Sequence, residues 1–425
     1  MSRPRYVSKV LAAIAATTLL LGACGGGDDD GGSTGETSGG AAGSAGDLLI
    51  WVGEGTGGEA VKEVAAGFGE ENNVNVTVET LPGDQLQSGF VTASQAGNAP
   101  DVVFGAHDWI GNLVQNGAVD PIQLPPTVSD TIQEIAVKAV TFNSQVYGLP
   151  ITMNNIVLYR NTDLAPDAPE TIEDLVEAGK ALQSSGDVEE VLAYPVGSTG
   201  NPYFINPLYT SGGGYMFGTN AEGDFDPADL GVGTPGSVEA YEKIGELGEG
   251  GEDVLKRSIS ADNALTLFTG GEAAFLVEGP WQLPNLAEVD FDYDVSPVPG
   301  FADGDTAAPF ITVDAAYVAS QGENKTLAQE FVTNYFSRTD VLQAYFEASQ
   351  GVPASQAVLD AMASSQPLAV KVAEIGATQG QIMPSIPEMA AVWDPLGKAE
   401  AAVISGADPA TTIDAAASTI EKSIG

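Results

Sequence analysis

The chain has 425 residues, room for two domains of about 150–200 residues each. With 43% hydrophobic and 17% charged residues, it falls among soluble globular proteins. Its 58 acidic residues against 15 basic ones give a net charge of −43, which excludes a nucleic-acid surface, because phosphates need positive charge. One Cys excludes internal disulfides and Cys-rich metal sites, and one His excludes His-cluster metal centres; no cofactor and no metal are expected.

Arg3, Arg5 and Lys9 are followed by an apolar or small run from Val10 to Leu21. That run is too short for a membrane span of about 20 residues but suits the core of a secretory signal. It ends in Leu21-Gly22-Ala23-Cys24, which resembles a bacterial lipobox and implies cleavage after residue 23 with a lipid on Cys24. The expected organisation is therefore a signal over 1–23 and a Gly/Ser/Asp-rich tether over 24–46. The 22 residues 25–46 contain no large apolar side chain and span about 25 Å as a Gly-rich coil. Without residues 1–23 the charge is −46, read as a solubility device or an adaptation to salt. No other hydrophobic run is long enough to span a membrane. The expected location is extracytoplasmic, lipid-anchored on the outer face of the cytoplasmic membrane or in a periplasm.

Leu48 to Val52 predicts a buried strand, followed by a Gly-rich turn over 53–58. Val61, Val64, Ala65 and Phe68 follow the i, i+3, i+4, i+7 pattern of an amphipathic helix. Val74 to Val78 alternates as a strand does, a helix is expected over Leu86–Ala96, and Val102 to Phe104 predicts a third strand. This β-α-β-α-β order predicts a mostly parallel sheet with its ligand crevice at the carboxyl ends of the strands. Two further strands are expected, Val191–Val196 leading to Tyr203-Phe204 and Ala273–Val277 leading to Trp281. Asp408-Pro409 predicts the start of a terminal helix carrying Ile413, Ala416, Ala417, Ile420 and Ile424 on one face.

Several stretches now add up: Leu49-Ile50-Trp51; Pro100 to Phe104 with Ala106-His107-Asp108; Pro202-Tyr203-Phe204 with Gly213-Gly214-Tyr215; Gly279-Pro280-Trp281; and Gln381-Ile382-Met383-Pro384-Ser385-Ile386-Pro387-Glu388-Met389 with Trp393. In this order they resemble the maltose/maltodextrin-binding proteins of bacterial ABC importers, over nearly the whole chain after residue 46. The resemblance implies an α/β two-lobe clamp of the periplasmic-binding-protein type, each lobe a mostly parallel sheet flanked by helices. It implies an N-terminal lobe of 47–153 and 313–362 and a C-terminal lobe of 157–309 and 368–425. The hinge crossings would lie near Thr152–Ile156, Phe310–Val313 and Ala361–Pro367. It also implies a monomer that captures an oligosaccharide between its lobes and delivers it to ABC permease subunits.

The matched positions make Tyr203, Trp281 and Trp393 aromatic platforms, with Phe204 either beside them or turned into the core. The apolar C–H faces of a pyranose stack on such rings while its hydroxyls need hydrogen-bond partners. Asp108 matches a carboxylate that accepts from sugar hydroxyls, its alternative being a helix N-cap. His107 is expected to be structural and Trp51 to be core. The chain departs from the pattern at Gly105, which lacks an aromatic, and at Trp109, which replaces an Arg and could re-supply the lost ring. Glu54 is what remains of a charged first loop, and Asn154 and Asn201 replace acids. The expected ligand is maltose or a maltodextrin. Alternatives are another sugar, a polyamine drawn by acids clustered in the cleft, or glycoside hydrolysis, which needs two flanking carboxylates.

Overall fold

A computed structural model describes residues 46–425 apart from Glu222. The signal, Cys24 and the tether up to residue 45 lie outside the described residues. In chain order the strands are β1 (Leu48–Gly53), β2 (Val76–Leu81), β3 (Val102–Ala106), the hairpin β4 (Thr141–Phe142) with β5 (Gln145–Val146), and β6 (Gly148–Asn154). Then come β7 (Val157–Asn161), the hairpin β8 (Phe217–Thr219) with β9 (Phe225–Leu230), β10 (Phe275–Glu278), β11 (Tyr293–Ser296), β12 (Phe310–Val318) and β13 (Gln381–Ile382).

The first sheet runs β13-β12-β3-β1-β2, with β6 on the other edge of β12. As expected, β1 pairs parallel with both β2 and β3, while the later strand β12 lies antiparallel to β3 and to β6. The helix Thr56–Asn72 crosses between β1 and β2, burying Val61, Val64, Ala65 and Phe68. Phe68 meets Phe331 and Tyr335 edge-on, centroids 5.1 Å apart in both cases. The helix ends where Asn73 takes a left-handed turn (φ 52°) and its N–H returns to Gly69 O.

The second sheet, β10-β7-β11, pairs antiparallel throughout, a departure from the parallel pairing expected there. Parallel pairing there is confined to single bridges, Thr171 to Gly300, Glu190 to Ala273 and Ala193 to Leu276. Residues Val191–Val196 therefore form no strand ladder; Val191, Leu192, Tyr194 and Val196 are buried in the second core and Ala193 in the first, which explains their strand-like composition. Helices Ile172–Ser185, Pro202–Ser211, Trp393–Ile404 and Pro409–Ile424 pack around this core. Asp408 caps the last of these, its Oδ1 accepting from Thr411 N at 2.9 Å, and Ile413, Ala416, Ala417 and Ile420 are buried as the periodicity predicts.

Two hydrophobic cores result, and β7 touches both: Val157 and Tyr159 face the first, Leu158 the second, because alternate strand residues point to opposite faces. Only Asn155 and Ile156 separate β6 from β7. Trp51, expected in the core, is half-buried, and its indole N–H donates to Glu79 Oε2 at 2.7 Å. Leu48, Ile50 and Val52 are the fully buried side chains of β1, while Trp51, on the other face by strand alternation, packs against the first core only in part. The expected strand at Val74–Val78 begins two residues later, at Val76.

Candidate functional site

The carboxyl end of β3 is organised by His107. Its buried ring accepts from Val313 N through Nδ1 (3.1 Å), so Nε2 is the nitrogen that donates to Met383 O (3.1 Å). Burial holds the imidazole down at about 4, so it stays neutral and stitches β3, β12 and the segment after β13 together. Met383 N and Gln381 N bond to Ile311 O (3.2 Å) and Pro309 O (3.0 Å), which places β13 on the edge of β12 where β3 leaves off. The structural role expected for His107 is the one observed.

Asp108 follows in the turn His107–Trp109. No side-chain cap hydrogen bond forms at the start of this turn or of the helix Ile110–Gln115, so Asp108 is not an N-cap. Burial, reinforced by the charge of Asp314, pushes its carboxyl up to about 6. Trp109 lies over Gly105: a Cβ built there would stand 2.0 Å from the indole Cζ3. The two departures from the expected pattern are thus one feature, with the ring occupying the space the missing side chain leaves.

On β12, Phe310, Thr312 and Asp314 share a face by strand alternation. Asn154, at the end of β6, donates through Nδ2 to Asp314 Oδ2 (3.3 Å), and Thr152 Oγ1 donates to the same oxygen (2.7 Å). Packed against the second core, Tyr203 lies in the first turn of the helix Pro202–Ser211. Its ring stacks on Phe310 (6.1 Å, 29°) and its hydroxyl shares a hydrogen bond with Thr312. Burial raises the Tyr203 phenol, and the charges of Asp314, Glu278 and Asp108 all add to the rise, so each of the three carboxylates lies within electrostatic reach of that hydroxyl.

Ring contacts continue on both sides. Trp393 meets Phe310 edge-on at 6.2 Å; Tyr203 meets Phe204 at 5.6 Å, and Phe204 meets Trp281 at 6.5 Å. Phe204 is buried and backs Trp281 from the core side. Trp281 is 44% exposed, the one large hydrophobic side chain left open among the described residues. Its ring folds over Gly279, where a Cβ would come within 2.2 Å of it. Its indole hydrogen-bonds Glu278, whose carboxyl burial pushes up to about 7 against this bond and one from Gly279 N–H (2.9 Å).

The structure therefore gathers Asp108, Asn154, Tyr203, Phe204, Trp281 and Trp393, and places Trp109 at the same strand end. Asn201 takes no part through its side chain in any bond described. Its backbone N–H donates to Glu400 Oε1 (2.8 Å), a buried carboxyl pushed up to about 8. Glu54 is exposed beyond β1. Sequence reasoning missed Glu278, Phe310, Thr312 and Asp314. The signal for the two acids was a carboxylate inside or ending an otherwise apolar strand. None of the ion pairs among the described residues reaches Asp108, Glu278 or Asp314. Nor is any group of three or more His, Cys, Asp or Glu there placed to hold a metal ion.

Such a surface offers flat apolar rings and hydrogen-bond acceptors with no fixed cation. Residues 63–371 match the family described as bacterial extracellular solute-binding protein. A galactooligosaccharide-binding protein of Bacillus subtilis is 25% identical over 392 residues, covering 89% of each chain. A maltodextrin-binding protein of the same species is 29% identical over 350 residues, covering 79% of this chain and 80% of its own. A Thermus thermophilus maltotriose-binding protein solved with maltotriose superposes with a TM-score of 0.77 at 25% identity, over 89% of this chain and all of the other.

Proposed function

The chain belongs to the bacterial extracellular solute-binding protein family, and we propose that it captures a neutral oligosaccharide, a maltodextrin first of all, between its two lobes. The observation that carries this reading is the exposed indole of Trp281, set beside the Tyr203–Phe310–Trp393 rings and three carboxylates. A sugar ring has an apolar face for the indole and hydroxyls for the acids, and few other solutes have both. Closing the lobes brings Trp281, Tyr203 and Trp393 onto a ligand seated on Asp108, Trp109 and Asn154. Ligand shifts the population toward the closed form by its preference for that form, which then docks on the permease pair of an ABC importer. A lipid on Cys24 keeps the protein at the outer face of the cytoplasmic membrane or in a periplasm, and the tether gives it reach.

The relatives favour two sugar classes, galactooligosaccharides and maltodextrins, and both belong in the test. A polyamine is the second reading, favoured by the three carboxylates without a paired cation. Titration of the protein with maltotriose, a galactooligosaccharide and spermidine separates these readings. Measurable release of reducing sugar from a dextrin would instead revive hydrolysis.

A further inference from the structure

Asp314 lies on β12, with β3 on one side of its strand and β6 on the other. Its register partners are Ala106 on β3, two residues before Asp108, and Thr152 on β6, two residues before Asn154. Both side-chain bonds to the carboxylate go to a single oxygen, Oδ2, from Thr152 Oγ1 (2.7 Å) and Asn154 Nδ2 (3.3 Å). Two donors on one oxygen fix the plane of the carboxylate and leave Oδ1 uncommitted. Oδ1 is not among the buried atoms that lack a partner and the residue is half-buried, while burial pushes its carboxyl above the usual range against the bonds from Thr152 and Asn154. The groups around it are Tyr203, Tyr345, Tyr317 and Asp108, whose electrostatics it perturbs. No lysine or arginine pairs with it among the described residues.

We propose that Asp314 is a specificity-determining contact of this cleft: Oδ1 accepts a hydrogen bond from a ligand hydroxyl while Thr152 and Asn154 hold Oδ2. The inference rests on the oligosaccharide reading above. Oδ1 accepts from a hydroxyl donor, by a charge-assisted bond once the carboxyl is ionised, and a second carboxylate or phosphate on the ligand would add a like charge to a carboxyl that burial already pushes up. Together with Asp108 and Glu278 it therefore selects neutral sugars over uronic acids and sugar phosphates. Asn154 stands here as the group that orients the acid, supplied one strand away.

The test is calorimetric titration of the full chain and of its Asp314→Asn and Asp314→Ala variants with maltotriose, a galactooligosaccharide and a maltotriose carrying a terminal uronic acid. Thermal unfolding of each variant is recorded alongside. Asp314→Asn keeps the shape and removes the charge; it is expected to weaken the neutral ligand ~10-fold and to narrow the discrimination against the uronic acid. Its melting temperature should stay within about 2 °C of the parent. A variant that binds the neutral sugar as tightly as the parent, within twofold, overturns the inference and leaves the sugar reading intact. Binding lost only together with the fold, in both variants, also overturns it, because Asp314 would then be structural. A parent protein silent to every neutral sugar overturns the sugar reading itself.

Discussion

Replacing Trp281 by Ala separates a ligand platform from a core aromatic. The side chain is 44% exposed; for an indole of about 250 Å² this leaves ~110 Å² for a ligand to cover. Full cover at ~25 cal/mol/Å² is worth roughly 2.7 kcal/mol, and a sugar ring that shields only part of it leaves about 1.5–2.5 kcal/mol. Trp281→Ala should therefore weaken the oligosaccharide ~10- to 60-fold. The buried edge of the ring rests on Gly279 and Phe204, so some stability is lost too, about 1 kcal/mol or 2–4 °C in melting temperature. Titration calorimetry with the best-binding sugar and a thermal scan read both. An affinity unchanged within twofold would refute the reasoning, since the exposed ring would then lie outside the site.

Further outcomes follow from the same geometry. Burial holds Asp108 near 6 and Glu278 near 7, and hydroxyls bond best to the ionised forms, so affinity should rise ~10-fold from pH 5 to pH 8 with protons released on binding; a flat profile across two buffers contradicts this. Glu400 is raised to about 8 from the usual carboxylate range, so the folded protein binds more protons than the unfolded chain between about 4.5 and 8, and this group's contribution to stability falls as pH climbs through that window. Glu400→Gln should then melt with the parent at pH 5 and above it at pH 9, and equal shifts at both would be against it. His107→Ala removes partners of Val313 N–H and Met383 O at a buried seam, an expected loss of ~2–4 kcal/mol in urea unfolding; a loss below 1 kcal/mol would mean the seam does not depend on the ring.

The first sheet was legible because its signals are local. Helical spacing at Val61, Val64, Ala65 and Phe68, and apolar runs at Leu48 and Val102, each name an element without tertiary help. Val191–Val196 was misread because burial gives a loop the same composition as a strand, and only pairing tells them apart. Trp51 meets the first core only in part, because an apolar strand does not say which of its faces is fully covered; its indole N–H reaches Glu79. In the site, Tyr203, Trp281 and Trp393 stood out as aromatics in matched motifs, and their ring contacts are long-range ones that a sequence does not display. Asp314 and Glu278 were passed over, although a carboxylate in a strand as apolar as Phe310–Val318 is costly to bury without a purpose. Gly105 and Trp109 were two separate departures in the sequence and one stacked pair in three dimensions.

The central claim is that the cleft between Asp108 and Trp281 binds a neutral oligosaccharide. Calorimetric titration of the protein with maltotriose, a galactooligosaccharide and spermidine addresses it most directly. Micromolar or tighter binding of one of the two sugars, with heat absent for spermidine, is the predicted result. Binding of spermidine with silence to both sugars would contradict the account, and would make the three cleft carboxylates, not the rings, the recognition surface.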